Sequence, residues 1–333
     1  MTMLRADMHV HTCYSRYNDN IGFLGARDCY STPQAVYATA KARGMDLVTI
    51  TDHDSIDGAL ALLDHTRGAA DIIVGEEVSC RLPDTGVQVH LGVYGMTEAL
   101  HREVQPLRRN AFDVAACLIQ ADVFFALNHL MHFYQPHVPL DRYLQLLETV
   151  PALEVRNGTM FPAHNRLVEQ MAADSAVSGR RRLAAVAGSD AHTLRRVGTT
   201  WTEAPGSTPE EFLRSLRDGL GQPGGCDGGA LVVSGDAYGV IFKYMCSLAG
   251  LLPPDHEGWR RAGCLAFALA SLPFQFIPVA LVSRVKWSER QKVRTLGSRL
   301  ADRLPAPRRS AAGSSAVADV SNAATVSSAV ADS

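Results

Sequence analysis

Between residues 5 and 192, short apolar runs recur, and each stops in a histidine or an acid. They are Arg5-Ala6-Asp7-Met8-His9-Val10-His11-Thr12, Val48-Thr49-Ile50-Thr51-Asp52-His53, Ile72-Ile73-Val74-Gly75-Glu76-Glu77, Phe124-Phe125-Ala126-Leu127-Asn128-His129 and Ala185-Val186-Ala187-Gly188-Ser189-Asp190-Ala191-His192. Runs this short, apolar and β-rich predict strands buried on both faces. Alternation along an extended chain puts His9 and His11 on the same face, where one ion can take both. Strands that all finish at one rim, with ligand-type side chains projecting from it, predict a barrel-like α/β enzyme with a metal centre at its C-terminal mouth.

The segments between them alternate in period. Cys13 to Asp28 is polar and aperiodic, a loop over the mouth. Thr32 then reads as an N-cap and Pro33 as the first residue of a helix that stops near Gly44. Further helices are predicted over 56–63, over 98–120 as one long element with Leu100, Val104, Leu107, Ala111, Val114, Ala115 and Leu118 on one face, and over 140–147 and 164–173. Val87 to Tyr94 alternates and brings in His90. Ala152 to Gly158 is another strand ending in polar residues, and Gly198 to Glu203 is predicted as the last barrel strand. Thr208-Pro209-Glu210-Glu211 carries a capping-box pattern. From Gly219 to Gly229, six of eleven residues are Gly, which sets the expected boundary. The division is a barrel over 1–230, a helical extension over 231–304 and a disordered Pro/Ala/Ser-rich tail over 305–333. In the extension, 236–252 is predicted as a helix with Val240, Ile241, Tyr244, Leu248 and Leu251 able to pack back on the barrel.

Composition is that of an ordinary globular core, 47% hydrophobic and 20% charged. The net charge of −2 is unevenly spread, because residues 284–309 hold nine Lys or Arg against Glu289 and Asp302. The first 283 residues are therefore acidic, which excludes a nucleic-acid grip by bulk charge. The seven cysteines form no Cys-x-x-Cys pair, which favours free thiols in a reducing compartment. With no signal-peptide pattern at Met1–Arg5, a cytoplasmic location is expected. No Gly-x-x-x-x-Gly-Lys loop or dinucleotide glycine fingerprint is present, which argues against ATP hydrolysis and hydride transfer.

The pooled donors are His9, His11, His53, Glu77, His90, His129, Asp190 and His192. This imidazole and carboxylate mixture suits Mn, Zn or Fe and exceeds what one tetrahedral ion uses, so two or three divalent ions are expected. His65, His101, His164 and His256 read as surface or packing residues. His132 and His137 lie in a loop at the mouth, within reach of a substrate. Asp52 and Asp54 either orient ligands or cap the loop around His53. Arg156, Arg195 and Arg196 follow strand ends, where they grip a phosphate or form a solvated face.

The ordered segments Asp7-Met8-His9-Val10-His11-Thr12-x-Tyr14-Ser15, Thr51-Asp52-His53-Asp54, Gly75-Glu76-Glu77-Val78-Ser79, Val89-His90-Leu91-Gly92 and Gly188-Ser189-Asp190-Ala191-His192 resemble the motifs of the PHP (polymerase and histidinol phosphatase) superfamily. The resemblance spans about two-thirds of the chain. It implies a distorted (β/α)7 TIM-like barrel, a centre of two or three metals and phosphoester hydrolysis of a small phosphorylated substrate. It makes His9 and His11 ligands of the first metal, with Glu77 and Asp190 near the bridge. His53, His90, His129 and His192 fill the other positions, and Gly-x-Glu-x-Ser selects Glu77 over Glu76. Many members carry a further His or Asp after the first motif. Asp19 and Asp28 are the two substitutes here, and the sequence leaves both open. The expected catalytic pair is Asp190 on the water and His192 at the rim, with His132 the other candidate acid. The alternatives are C–N bond hydrolysis on the same centre, and a barrel without turnover that serves as a regulatory module.

Residues 262–283 contain no charged side chain and are bounded by Arg260-Arg261 and by Arg284 and Lys286. As one helix, this stretch would reach about 33 Å, enough for a bilayer core. Pro273 and Pro278 interrupt it, and a single span would put the barrel on the wrong side of its basic flank. Two readings remain: a shallow membrane hairpin bent at the prolines on the cytoplasmic face, or a helix pair buried against the barrel.

Overall fold

The computed structural model describes residues 2–15, 25–174, 182–252, 258–274 and 276–303. Among them, nine strands form one sheet: β1 (Met3–Asp7), β2 (Leu47–Ile50), β3 (Ile72–Arg81), β4 (Gln88–Tyr94), β5 (Phe124–Leu127), β6 (Ala152–Asn157), β7 (Ala184–Gly188), β8 (Thr200–Pro205) and β9 (Gln222–Gly225). The spatial order is β7-β6-β5-β4-β3-β2-β1-β8-β9. The helices are α1 (Pro33–Ala42), α2 (Asp57–Thr66), α3 (Glu98–Val104), α4 (Ala111–Gln120), α5 (Leu130–Phe133), α6 (Leu140–Thr149), α7 (Pro162–Ala173), α8 (Pro209–Arg217), α9 (Ala230–Ala249), α10 (Gly258–Ala270) and α11 (Ile277–Arg303).

The first seven strands curl into a nearly closed barrel, and β1 closes it by using its two ends differently. Its N-terminal half pairs antiparallel with β8, from Met3↔Pro205 to Ala6↔Thr202. Just past its C-terminal end the chain meets β7 instead: Met8 N–H donates to Ala187 O at 3.3 Å, and Val10 bridges Ala191 in parallel. The Thr202 hydroxyl binds both the N–H and the carbonyl of Ala187, at 2.7 and 3.1 Å. The expected last strand thus joins the sheet as β8, antiparallel to β1 and in contact with β7, and β9 extends it inside the Gly-rich stretch expected to hold the boundary.

The barrel is distorted because β4 runs against both its neighbours. Only six residues separate β3 from β4, too few for the crossover that parallel neighbours need, so the chain turns back as a hairpin. The reversal matters for the site. His90 lies near the start of β4, opposite Ser79 of β3, and so reaches the rim at which the other strands end.

Local signals mostly hold. Thr32 accepts Ala35 N–H at 3.3 Å and Pro33 opens α1, while Thr208 accepts Glu211 N–H at the start of α8. The single helix expected over 98–120 is broken. Pro106 removes a donor and crowds the preceding turn, so residues Gln105–Arg109 tighten to 3-10 geometry, and Asn110 caps a new helix by accepting Phe112 N–H at 3.0 Å. The helix expected over 236–252 also begins earlier, at Ala230; Val240, Tyr244 and Leu248 are buried, but Leu251 is 75% exposed.

Several contacts tie the extension to the barrel and its mouth. Tyr244 and Leu248 of α9 and Ala268 of α10 pack with Ala26 and Tyr30, the loop that carries Asp28. The C-terminal half of α11 sends Leu296 and Leu300 into the main core, and Lys292 Nζ donates to the His132 carbonyl at 2.8 Å. The apolar segment 262–283 is not buried against the barrel: in α10 only Ala268 is buried. No helix among the described residues is long and apolar enough to cross a membrane.

Candidate metal centre

Glu77 is the hub of the mouth. It sits on β3, fully buried, with five imidazole nitrogens around its carboxylate. His129 Nε2 and His90 Nδ1 lie 2.9 and 3.0 Å from Oε1; His53 Nδ1, His9 Nε2 and His11 Nε2 lie 3.1, 3.2 and 3.4 Å from Oε2. Asp190 faces the other side of the same histidines, its Oδ1 3.4 Å from His11 Nε2 and 3.6 Å from both His9 Nε2 and His192 Nδ1. All eight residues expected at the site are therefore brought together. His9 and His11 sit in extended chain just beyond β1, since the regular strand ends at Asp7. His129 and Asp190 adopt positive φ, 25° and 52°, as the chain bends away from β5 and β7.

His9 and His11 are each held so that Nε2 faces the centre. His9 Nδ1 lies 2.8 Å from Glu154 Oε1, which leaves Nε2 to the cluster. His11 Nδ1 lies 3.0 Å from Ser15 Oγ, and Ser15 in turn donates to Asp52 Oδ1 at 3.0 Å. Asp52 also accepts Thr12 N–H and Oγ–H, both at 2.6 Å, so it orients a ligand through Ser15 and caps the loop as well. A carboxylate behind an imidazole fixes its tautomer and raises its basicity, the usual support for a metal-binding histidine. Asp54 accepts Ser79 N–H and an Arg108 ion pair, 2.8 and 2.9 Å away, which is structural.

Glu154 was not among the expected site residues. It is buried in β6, where it also accepts His129 N–H and Asn157 Nδ2–H, both at 2.9 Å. Its signal was an acid between Leu153 and Val155 in an apolar strand, a position that rarely carries a charge without a partner. The structure also places Asp28 at the rim, its Oδ2 2.6 Å from His192 Nε2 and 3.5 Å from His53 Nε2. Asp19 lies outside the described residues.

The electrostatics show what the cluster lacks. Burial opposes ionisation of Glu77, yet His9, His90 and His53 hold its carboxyl well below the usual range. Asp190 and Asp28 are likewise held low against burial, by His9 and His11 in one case and His192 in the other. Burial keeps His11 and His90 neutral, pushed down to about 3 and about 4, with His192 and His53 adding repulsion at His11. For His192 burial also favours the neutral form, but Asp28 overrides it and raises the pKa to about 10. Glu77 Oε2, His90 Nδ1 and His129 Nδ1 are buried without a well-directed hydrogen bond among the described residues. Orphaned acceptors beside ionised carboxylates fit a divalent cation better than a hydrogen-bonded network. Four overlapping donor groups with ligand atoms within 4.8 Å of one another meet here: His9/His11/Asp190, His53/Glu77/His90, His11/His53/His192 and His9/His129/Glu154.

Residues 163–220, which follow β6 and include the Asp190 motif, match the model of the PHP-associated family. That match supports the resemblance of the chain to the PHP superfamily. A stretch of 77 residues is 31% identical to an uncharacterized protein of Methanocaldococcus jannaschii, covering 22% of this chain and 44% of the relative, so the chain spans less than half of that protein's length. Among solved structures, a two-domain protein from Bacteroides vulgatus, described as containing a predicted PHP-like metal-dependent phosphoesterase, aligns at 16% identity over 68% of this chain and 65% of its own, TM-score 0.48. PsfC from Pseudomonas syringae aligns at 18% identity over 72% and 98%, TM-score 0.49. An amidohydrolase from Chromobacterium violaceum with bound sulfate and no metal aligns at 15% identity over 65% and 97%, TM-score 0.45.

The remaining candidates separate cleanly. His132 is half-exposed at the rim, its Nδ1 3.6 Å from Glu289 of α11. His137 and His65 are exposed. His101 binds Glu76 Oε2 at 2.8 Å and His164 binds Asn165 Oδ1 at 2.9 Å, both packing roles; His256 lies outside the described residues. The three arginines are engaged by protein. Arg156 donates to Gly225 O at 2.9 Å, Arg196 to Gly158 O, and Arg195 and Arg196 lie 3.7 and 3.6 Å from Asp236 of α9.

Proposed function

We propose that this protein is a metal-dependent phosphoesterase that hydrolyses a small phosphorylated metabolite or a nucleotide, using two or three divalent ions of Mn, Zn or Fe. The observation that carries the reading is the single buried carboxylate of Glu77 ringed by five imidazoles, with Asp190 opposite. His9, His11, Glu77 and Asp190 would hold the first ion, and His53, His90, His129 and His192 the others. Such ions, when bound, polarise phosphoryl oxygens and bring the pKa of a water toward neutrality.

The chain's own groups divide the remaining work. Asp190 Oδ2 accepts Asn157 Nδ2–H and Thr159 Oγ–H at 3.3 and 3.2 Å, which fixes the carboxylate while Oδ1 stays over the centre. That posture suits a base that orients and deprotonates the attacking water. With two ions bound, His192, whose Nε2 lies 2.6 Å from Asp28 Oδ2, would be the acid for the leaving oxygen. With three, His192 becomes a donor and the acid is His132 at the rim.

A panel of phosphomonoesters, nucleotides and nucleotide bisphosphates with Mn added tests the reading. Phosphate release that Asp190→Asn removes is the expected result. Turnover of amides or amidines with no phosphate release would move the assignment to C–N hydrolysis, and a chain that binds ions yet turns over neither would be a regulatory module.

A further inference from the structure

We infer that α10 and the first turns of α11 form a hairpin that inserts into one leaflet of an anionic bilayer surface. This inference does not depend on the chemistry at the mouth. Phe267, Leu269, Phe274, Phe276, Ile277 and Leu281 are between 42% and 65% exposed, in a stretch of twenty-two residues without a charge. Contiguous apolar surface of this kind marks a binding site.

Three features select lipid over protein. The exposed positions do not form one stripe. Ile277 and Val279 fall on opposite sides of α11 at a helical rotation of about 100° per residue, and both are exposed. A partner protein covers one face of such an arm, whereas acyl chains surround a protruding tip. The ends of the segment are built for the headgroup layer. Trp259 and Trp287, 84% and 64% exposed, bracket it on the two arms, the place that amphipathic indoles occupy at a membrane interface. The collar is basic chiefly on α11, where Arg284, Arg290 and Arg294 are exposed, and Arg260 is exposed at the start of α10. On the α11 arm the nearest acid, Glu289, is buried against Lys286 at 2.8 Å and so does not offset Arg284 and Arg290; on the α10 arm Asp255 and Glu257 precede Arg260 in the sequence and lie outside the described residues. This collar complements anionic lipid.

Length sets the depth. The thirteen residues of α10 reach about 20 Å, short of the roughly 30 Å hydrocarbon core. Pro273 and Pro278 interrupt the helical path, and on this inference the chain turns back there, so that both ends of the segment meet the same face and no crossing is required.

The test is flotation of the full-length protein with phosphatidylcholine vesicles and with phosphatidylcholine–phosphatidylglycerol vesicles. Co-flotation with the anionic vesicles that persists through a high-salt wash, with tryptophan emission quenched by brominated lipid, is expected. Phe267→Glu with Phe276→Glu and Leu281→Glu should lower binding by at least about tenfold. Arg260→Gln and Arg284→Gln should each lower it by about fivefold at low salt. These positions are exposed, so circular dichroism and the melting midpoint should not move. Protein that stays at the bottom of the gradient with both vesicle types overturns the inference. So does a dimer in solution that the Phe→Glu changes dissociate without any vesicle binding by the parent chain, because the hairpin would then cover a second copy.

Discussion

Glu77 lies fully buried among five imidazoles at the barrel mouth, while Phe276 stands 65% exposed on the hairpin of the extension. The two regions depart from ordinary burial in opposite directions. Charged groups taken out of water need partners, and apolar groups left in water in a patch need a cover. Each region is incomplete as protein alone, and the sign of the departure says what completes it: a cation at the mouth, a lipid face at the hairpin. α11 belongs to both, exposing Ile277 and Leu281 at one end and placing Glu289, Leu296 and Leu300 against the barrel at the other.

The largest effect should come from Glu77→Gln. Removing the one carboxylate shared by five histidines should release ions and lower turnover by at least about a thousandfold, while vesicle binding stays unchanged. Loss of both together would mean that the mouth and the hairpin form one unit.

The joint between the two regions gives the next effect. Glu289→Ala leaves Lys286 buried without its partner, which should cost about 3–5 kcal/mol, whereas Lys286→Met with Glu289→Met should recover most of it. Hydrogen exchange along α11 reads both. Burial disfavours the Glu289 carboxylate, but His132 and Lys286 override it and bring its pKa down to about 2 from 4.5. A depressed carboxyl stabilises the fold above its unfolded pKa, and that contribution, up to roughly 3 kcal/mol, is lost as pH falls from about 5 toward 2. Exchange in the C-terminal half of α11 should accelerate across that window, and in the Glu289→Ala variant it should be fast throughout.

The smallest effect should follow Glu154→Gln. The imidazole of His9 keeps its place but loses the carboxylate behind Nδ1, so metal affinity should fall by about 10- to 100-fold with the fold intact. Titration calorimetry with Mn or Zn measures it.

How much of this was legible in the sequence follows from how local each signal is. The strand ends carrying His9, His11, His53, Glu77, His129, Asp190 and His192 announce themselves within a few residues, as do the Thr32 and Thr208 caps. Pro106 was equally local and was outweighed by the apolar stripe that continues through it. Glu154 acts across 145 residues of chain on His9, and no periodicity reports such a contact. The placement of Asp28 at the rim rests on how α9 and α10 hold the loop from Ala26 to Tyr30. For segment 262–283 the sequence supplied composition, but whether the residues face a core or open solvent is decided by neighbours far away in the chain.

The most direct test of the central claim is the metal content of the full-length protein after mild purification and addition of Mn or Zn, measured with the His9→Ala, His11→Ala double variant alongside. The account predicts two or three ions per chain, as the four overlapping donor groups allow, and at least one fewer in the folded variant. A parent chain that retains no ion, or a variant that retains as many as the parent, would contradict it.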